Sequence, residues 1–575
     1  RDRSPSRGLG DVYKRQAVVL GCLNTSCNES SWLKEKPLDF YTAENSYQTT
    51  SQFKKSLNYL YDVVRNLHWK LGDQHVIMWC GDIGYGATDP NNKFNNFKTF
   101  LTPYTYVAGS FWDPGFSGIA NANIILNRLT LTDLVSEEDK KSIRGEALFF
   151  RAYFYNLLAN LFGGVPIILE EPTDSRRDYV RASREEVYNQ VRQDLEDAIL
   201  CLKDITEIKD GVINIQAAQH LLAEVYISLK NYPEAIKAAS AVINHPAMGL
   251  MKERFGSRKD QEGDPYWDLF QANNQSRGSG NTETIWALQY EYKNAGSSYS
   301  YEMPRWLLPF YTGLQVESAK NDGSKVLGFP AFTEEKGGRG IGCIRPGEHF
   351  LNDIWEKDGD KDYRNSPYMI IRDFRIDNKE AKGFGEWVIK DGWLEAGQEV
   401  RNFYPFVMKF SRVGGLPDDN YAKNTDGSYT ITPLGEHALV YAWGSLSANT
   451  SMKDEYMYRL AGTYLLRAEA YLGNNEPDKA VIDLNEIRLR SHATPIEETD
   501  VNLDFILDEQ LRELYFEDFR LPTLCRLNKV VERSKKYNPF GHNVGEHQNL
   551  LPIPYSEIEK NIYQKLEQNP GYEGF

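Results

Sequence analysis

The sequence predicts a mostly α-helical fold, in which tetratricopeptide-like helical hairpins pack with a large, irregular, loop-rich region containing short strands. Three observations carry this. First, "INIQAAQHLLAEVYISLKNYPEAIKAASAVI" and "YRLAGTYLLRAEAYLGNNEPDKAVIDLNEIRLRS" each read as two amphipathic helices around a Pro-containing turn, "KNYP" and "GNNEP". Second, both stretches carry Ala-Glu-x-Tyr (Ala223 to Tyr226, Ala468 to Tyr471) and a further alanine twelve residues after the first, Ala235 and Ala480. Small residues at such positions let paired helices approach closely, as in helical repeats. Third, between about residues 250 and 450, clusters such as "QANNQSRGSGNTE", "EEKGGRGIG", "EKDGDKDYRN" and "KNTDGSY" separate short strand-like runs, "TIWALQYEY" and "EWVIK" among them.

From the amino end, residues 1–16, "RDRSPSRGLGDVYKRQ", have no hydrophobic period and read as foreign read-through, set aside from the fold. Residues 17–26 belong to "AVVLGCLNTSCNESSWL", which reads as the remnant of a bacterial lipoprotein signal whose front is missing. Thr25 and Ser26 supply the small residues needed before a lipidated cysteine, Cys27, although Asn24 stands where Leu is usual; Val19–Leu20–Gly21–Cys22 is a competing site. Residues 27–245 form a helical amino-terminal region. In it, "SEEDKKSIRGEALFFRAYFYNLLANLFGG" opens on Ser136 as N-cap with acids in its first turn and stops at Gly163–Gly164, with Pro166 beyond. This run is apolar on nearly every side, but Arg144, Glu146, Arg151, Asn156 and Asn160 interrupt it, which suits a packed interior and not lipid. "SREEVYNQVRQDLEDAILCL" repeats apolar residues at Val187, Val191, Leu195 and Ile199. Residues 246–575 form a carboxy-terminal region that combines the loop-rich insert with further helical hairpins.

The 575-residue chain carries a net charge of −15, which disfavours nucleic acid as a partner, because no basic surplus is present to neutralise phosphates. Its six cysteines form no CxxC pair and its nine histidines are dispersed; His542 and His547 lack a partner set for metal, and no cofactor is expected. No GxSxG elbow, HExxH or P-loop lysine is present. "DGDKD" at Asp358–Asp362 echoes a calcium loop, but Tyr363 stands where glycine is required, so a solvated acidic turn is expected. Aromatic content is 13%, with 35 Tyr, and rings cluster in Gly-rich stretches. "MWCGDIGYGATDP" holds Trp79, Asp82 and Tyr85; "SFWDPGF" holds Trp112; "YEYKNAGSSYSYEMPRW" holds Tyr299, Tyr301 and Trp306. Flat rings pack on the C–H faces of sugars while neighbouring Asp, Asn or Arg takes the hydroxyls. Core packing is the alternative at each ring, and at Trp112 above all, because a helix follows it.

Several segments together resemble the SusD/RagB family of Bacteroidota outer-membrane lipoproteins. "CNESSWLKEKP" resembles its lipidated start, and "FWDPGFSGIANANIILNRL" its W-x-x-x-Y/F-x-x-I-x-x-A-N helix, on Trp112, Phe116, Ile119, Ala122 and Asn123. "RGEALFFRAYFYNLLANLFGGVPII", "ILDEQLRELYFEDFRLPTLCRL" and the terminal "LPIP" through "QNPGY" follow in the family's order. The resemblance implies a SusD-like fold and a non-enzymatic, lipid-anchored protein at the outer-membrane surface. It implies capture of an oligosaccharide or polysaccharide ligand and its delivery to a SusC-like TonB-dependent transporter. Gly81–Asp82 loosely fits an acidic residue that the family places near its glycan. Two other readings stay open: a peptide-binding RagB-like scaffold and a glycoside hydrolase on a helical frame.

Overall fold

The computed structural model describes residues 46–69, 81–88, 93–172, 175–291, 303–411, 413, 416–440, 451 and 453–573. Long helices come first: α1 (Thr50–Trp69), α2 (Tyr106–Leu129), α3 (Glu137–Phe162), α4 (Arg184–Ile199), α5 (Ile215–Ser228) and α6 (Tyr232–Ile243). The carboxy-terminal part returns to helix with α7 (Leu460–Gly473), α8 (Pro477–Arg490), α9 (Leu503–Leu514), α10 (Arg520–Arg526), α11 (Val530–Tyr537) and α12 (Tyr555–Lys560).

Helix α3 is the spine. The Ser136 hydroxyl caps it by accepting from the Asp139 amide at 3.1 Å, and Glu137, Glu138 and Asp139 complement its positive end. Every residue from Ala147 to Phe162 is buried, because α1, α2, α4 and α10 pack around it. Of its polar interruptions Arg144 is exposed, and the other four find partners. Arg151 forks onto Asp194 at 2.6 and 2.8 Å and donates to Asn123 at 2.9 Å, while Asn156 and Asn160 both donate to Glu224 at 3.0 Å. Burial pushes the Glu146 carboxyl up to about 7, although the Tyr61 hydroxyl donates to it at 2.7 Å. The aromatic run is core: Phe149, Phe150 and Tyr153 meet Trp286 edge-on at 5.6, 6.2 and 6.0 Å. Among the described residues no helix is long and apolar enough to cross a membrane.

Helices α5–α6 and α7–α8 are the two expected hairpins, and α7 packs on both α5 and α6, so stretches far apart in sequence form one stack. Ala223, Ala235, Ala468 and Ala480 are fully buried. Gly473 is a point of close approach: a Cβ there would lie 2.3 Å from the Tyr232 ring. Gly473→Val is therefore expected to force the hairpins apart at a cost of about 1–3 kcal/mol. A urea midpoint equal to wild type would show that the two hairpins do not bear on each other at this point.

Between the hairpins the described strands pair two by two, all antiparallel: β1 (Gly84–Gly86) with β5 (Ile344–Pro346), β2 (Thr284–Leu288) with β8 (Glu455–Arg459), β3 (Gln315–Glu317) with β4 (Lys325–Leu327), and β6 (Ile370–Ile371) with β7 (Phe406–Val407). The "TIWALQYEY" run supplies β2. The "EWVIK" run does not form an extended strand: Trp387 bridges Arg375, then the chain turns as Asp373 accepts the Ile389 and Lys390 amides. The insert holds its own small core, in which Tyr311, Phe329, Phe374 and Phe403 meet at 5.6–6.3 Å.

Beneath the insert lies a buried ionic network. Glu509 and Glu513, four residues apart, share a side of α9, and Glu517 follows just beyond the helix end. Arg459 reaches Glu283 at 2.9 Å, Glu513 at 3.0 Å and Glu517 at 2.6 Å, Arg490 reaches Glu283 at 2.8 Å, and Arg364 reaches Glu509 at 2.7 Å. The supposed calcium-like turn ends in this network. Asp358 pairs with Arg488 at 2.7 Å and Asp362 with Arg364 at 2.7 Å, the latter pair without solvent exposure, so the turn is not solvated at its ends. No cluster of three or more metal-ligating side chains occurs among the described residues, and His547 sets its ring against Tyr572 at 4.4 Å.

Candidate functional site

Residues 341–346 lace two of the aromatic stretches together. On one side β5 pairs with β1, and the Ala87 amide donates to the Cys343 carbonyl at 2.8 Å. On the other, the Ile341 and Cys343 amides donate to the Arg305 and Trp306 carbonyls at 2.7 and 2.9 Å. The Tyr404 hydroxyl closes the seam by donating to the Leu307 and Ile344 carbonyls at 3.0 and 3.1 Å. Gly84 is needed here, since a Cβ would fall 2.6 Å from the Arg345 carbonyl. Asp82 and Tyr85 thus belong to one patch of backbone with Trp306, more than two hundred residues further along the chain.

Within that patch the three side chains have different parts. Asp82 is not open to a ligand, contrary to the sequence reading. It is fully buried, with Arg520 at 2.6 Å and Arg533 also on its Oδ2. Burial alone would raise its carboxyl, but the two guanidinium groups outweigh burial and hold it well below the usual carboxylate range. Arg533 reaches on to Asp504 and Asp508, and His349 meets Asp508 at 3.0 Å while stacking on Tyr537 at 3.6 Å. Asp82 therefore pins the start of the first aromatic loop to α10 and α11. Trp306 keeps only 8% of its surface, and its buried indole N–H has no hydrogen-bond partner among the described residues. Tyr85 is half-buried: Phe540 meets its ring edge-on at 5.6 Å, and the Arg345 guanidinium lies 5.9 Å from its centroid. Burial raises the Tyr85 hydroxyl, with Arg345 opposing and Glu348 adding to the rise.

Arg345 was not foreseen. It donates to the Glu399 carbonyl and to Glu348, each at 3.0 Å, while its buried Nε finds no acceptor among the described residues. Nothing in "GIGCIRPGEHF" marks it locally; only the β1–β5 pairing sets it beside Tyr85. Trp79, Tyr299, Tyr301 and the lipidation candidate Cys27 lie outside the described residues.

Trp112 does not join this patch. It is 4% exposed on α2, tilted on Phe116 at 4.8 Å and edge-on to Phe162 at 5.2 Å, so its ring chiefly braces α2 on α3. It also lines a different cleft, of about 420 Å³, none of whose lining comes from residues 81–88, 303–308 or 341–346.

Residues 282–572 match the model of the SusD family, and residues 31–227 match a second model described as starch-binding, associating with outer membrane. SusD-like protein P2 of Formosa agariphila is 24% identical over 97% of this chain and 99% of its own length, and SusD-like protein P25 of the same organism is 24% identical over 96% and 98%. Among solved structures, a laminarin-binding SusD-like protein superposes with a TM-score of 0.63 at 21% identity, over 92% of this chain and 100% of its own. Surface glycan-binding protein A from Bacteroides fluxus superposes with a TM-score of 0.60 at 19% identity, over 91% and 100%. These superpositions carry the fold, and the family model covers half of the chain with the helical hairpin, the α9 acids and the terminal signature inside it: the chain belongs to the SusD family.

Proposed function

We propose that the protein captures oligosaccharides at the outer-membrane surface and passes them to a SusC-like TonB-dependent transporter, binding without turnover and held by a lipid on Cys27. The observation that carries this reading is the seam at residues 341–346, which gathers the first and third aromatic stretches onto one patch with the Arg345 guanidinium beside Tyr85. A ring next to a multi-donor cation is the pairing that a sugar's C–H face and hydroxyls require. In this reading Tyr85 and Arg345 touch the ligand together with Trp79, Tyr299 and Tyr301, whereas Asp82 and Trp306 position them. The glycan-binding relatives and the outer-membrane description of the second family model support the same assignment.

Titration calorimetry against malto-, laminari-, xylo- and manno-oligosaccharides is expected to find a ligand with micromolar affinity and no products after incubation. Arg345→Ala and Tyr85→Ala are each expected to weaken it by about 1–3 kcal/mol, the scale of one lost ring stack or charge-assisted contact. A panel without a single binder, or variants that bind as wild type does, would reject the reading.

A further inference from the structure

A second feature of the molecule has the makings of a binding site. The cleft at Trp112 lies between α2, the segments at residues 165–168 and 175–181, and the tail from α12 onward. Its volume, about 420 Å³, falls in the range of small-molecule sites, about 300–1,000 Å³. Helix α2 is built two-faced. Gly115 and Gly118 lie against Leu158 and Phe154 of α3, where an added Cβ would meet those side chains at 3.0 and 2.2 Å. Asp113, Phe116, Ser117 and Ala120 fall on another stripe of the helix and are left to line the cleft.

The opposite walls are tied before any ligand arrives. The Asn561 amide clamps the Tyr179 backbone, donating to its carbonyl at 2.7 Å and accepting its N–H at 2.8 Å. The Tyr563 amide donates to the Arg177 carbonyl at 2.9 Å, and Arg181 donates to Asn569 at 2.7 Å. A cleft whose walls are already fixed loses little entropy on binding.

Its chemistry is mixed in a particular way. Phe116 and Tyr179 are half-buried, so each leaves ring surface open; the Arg176 guanidinium, paired with Asp178 at 2.9 Å, lies 5.1 Å from the Tyr179 centroid. The charged groups of its lining are Asp113, Glu557 and Lys560, and Lys560 is already paired with Glu557 at 2.5 Å. Asp113 makes no hydrogen bond among the described residues, and burial, then Glu557, raise its carboxyl while Lys560 opposes. The three groups leave a net negative charge and an excess of acceptors. Hydroxyl donors satisfy that set; a carboxylate or sulfate is repelled by it.

We propose that this cleft is a second carbohydrate site, taking one uncharged hexose unit between Phe116 and Tyr179, with hydroxyls donating to Asp113, and disfavouring uronate or sulfated sugars. The proposal rests on the glycan-binding reading but uses none of the residues of the Tyr85–Arg345 patch, so the two are separable.

Ligand-observed NMR titration of the full chain with methyl glucoside, methyl galactoside, methyl mannoside and methyl glucuronide tests it. At least one neutral glycoside is expected to bind, and Ser117→Arg, a change at an exposed helix position that fills the cleft, is expected to weaken it by at least about tenfold. Arg345→Ala is expected to leave this cleft binding unchanged. Methyl glucuronide is expected to bind several-fold more weakly than the neutral sugar, and Asp113→Asn to narrow that gap. Equal affinity in wild type and Ser117→Arg overturns the proposal, as does loss of neutral-sugar binding only in Arg345→Ala, or binding of none of the neutral glycosides. Failure of the oligosaccharide panel with retention of Ser117-dependent monosaccharide binding would instead reject the Tyr85–Arg345 assignment and keep the cleft.

Discussion

Replacing Glu513 by Gln is expected to remove about 3–5 kcal/mol of stability, the cost of breaking a buried ion pair from one side. Glu513 has no solvent exposure and its two oxygens meet Arg459, Arg490 and Arg364, each equally buried. The amide keeps the shape of the side chain while removing its charge and one acceptor, so the loss measures unpaired guanidinium groups and not a cavity. A control of the same chemistry at the surface, Glu395→Gln opposite Lys325, where both partners are about half exposed, should cost less than about 1 kcal/mol. Urea midpoints of the two variants decide the matter, and equal midpoints would mean the network contributes no more than a solvated pair.

The same residue sets an acid dependence. Burial alone would raise the Glu513 carboxyl, but Arg490, Arg459 and Arg364 bring it down from 4.5 to about 2. Its folded value is below its unfolded one, so its stabilisation is complete above about pH 4.5 and drains as pH falls toward 2. Asp82 and Glu509 shift in the same direction for the same reason. Wild type should therefore lose stability steeply between those pH values, and Glu513→Gln should do so less steeply. A variant with an unchanged slope would place the acid sensitivity elsewhere.

Glu509, Glu513 and Glu517 also mark what could and could not be read locally. Helix α3 announced itself because its pattern is local: an N-cap, a long apolar run, a glycine stop. The hairpins did so through alanines that only close helix packing requires. The α9 acids look, residue by residue, like a solvated helical face. Their burial is decided by Arg459, Arg490 and Arg364, which come from three other parts of the chain. "DGDKD" misled for the same reason, since its end carboxylates answer to Arg488 and Arg364 and not to water. The aromatic stretches were legible as composition, but a ring's sequence neighbours do not reveal its exposure. Trp112 and Trp306 proved buried, Tyr85 half-open, and Arg345 entered only through strand pairing across the fold.

Asp82→Asn should bring stability and binding down together. Its carboxylate is the shared anion of Arg520 and Arg533, so its loss leaves two buried cations short of a partner and is expected to cost about 3–5 kcal/mol. The effect should spread along the loop it pins. The Asn538 amide donates to the Gly81 and Gly84 carbonyls at 2.7 and 3.0 Å, and the Gly347 amide donates to the Ile83 carbonyl at 3.0 Å. These bonds hold β1 in register only while α11 and the Asp82 anchor stay in place. Amide exchange from Ile83 to Ala87 should accelerate in the variant, and affinity for the oligosaccharide should fall by about tenfold as Tyr85 leaves Arg345. The two readouts separate positioning from contact. If Asp82 met sugar hydroxyls directly, affinity would fall while exchange at Ile83–Ala87 kept its wild-type rate. If it acts through Arg520 and Arg533, Arg520→Gln should reproduce both changes, although Arg520 is itself buried.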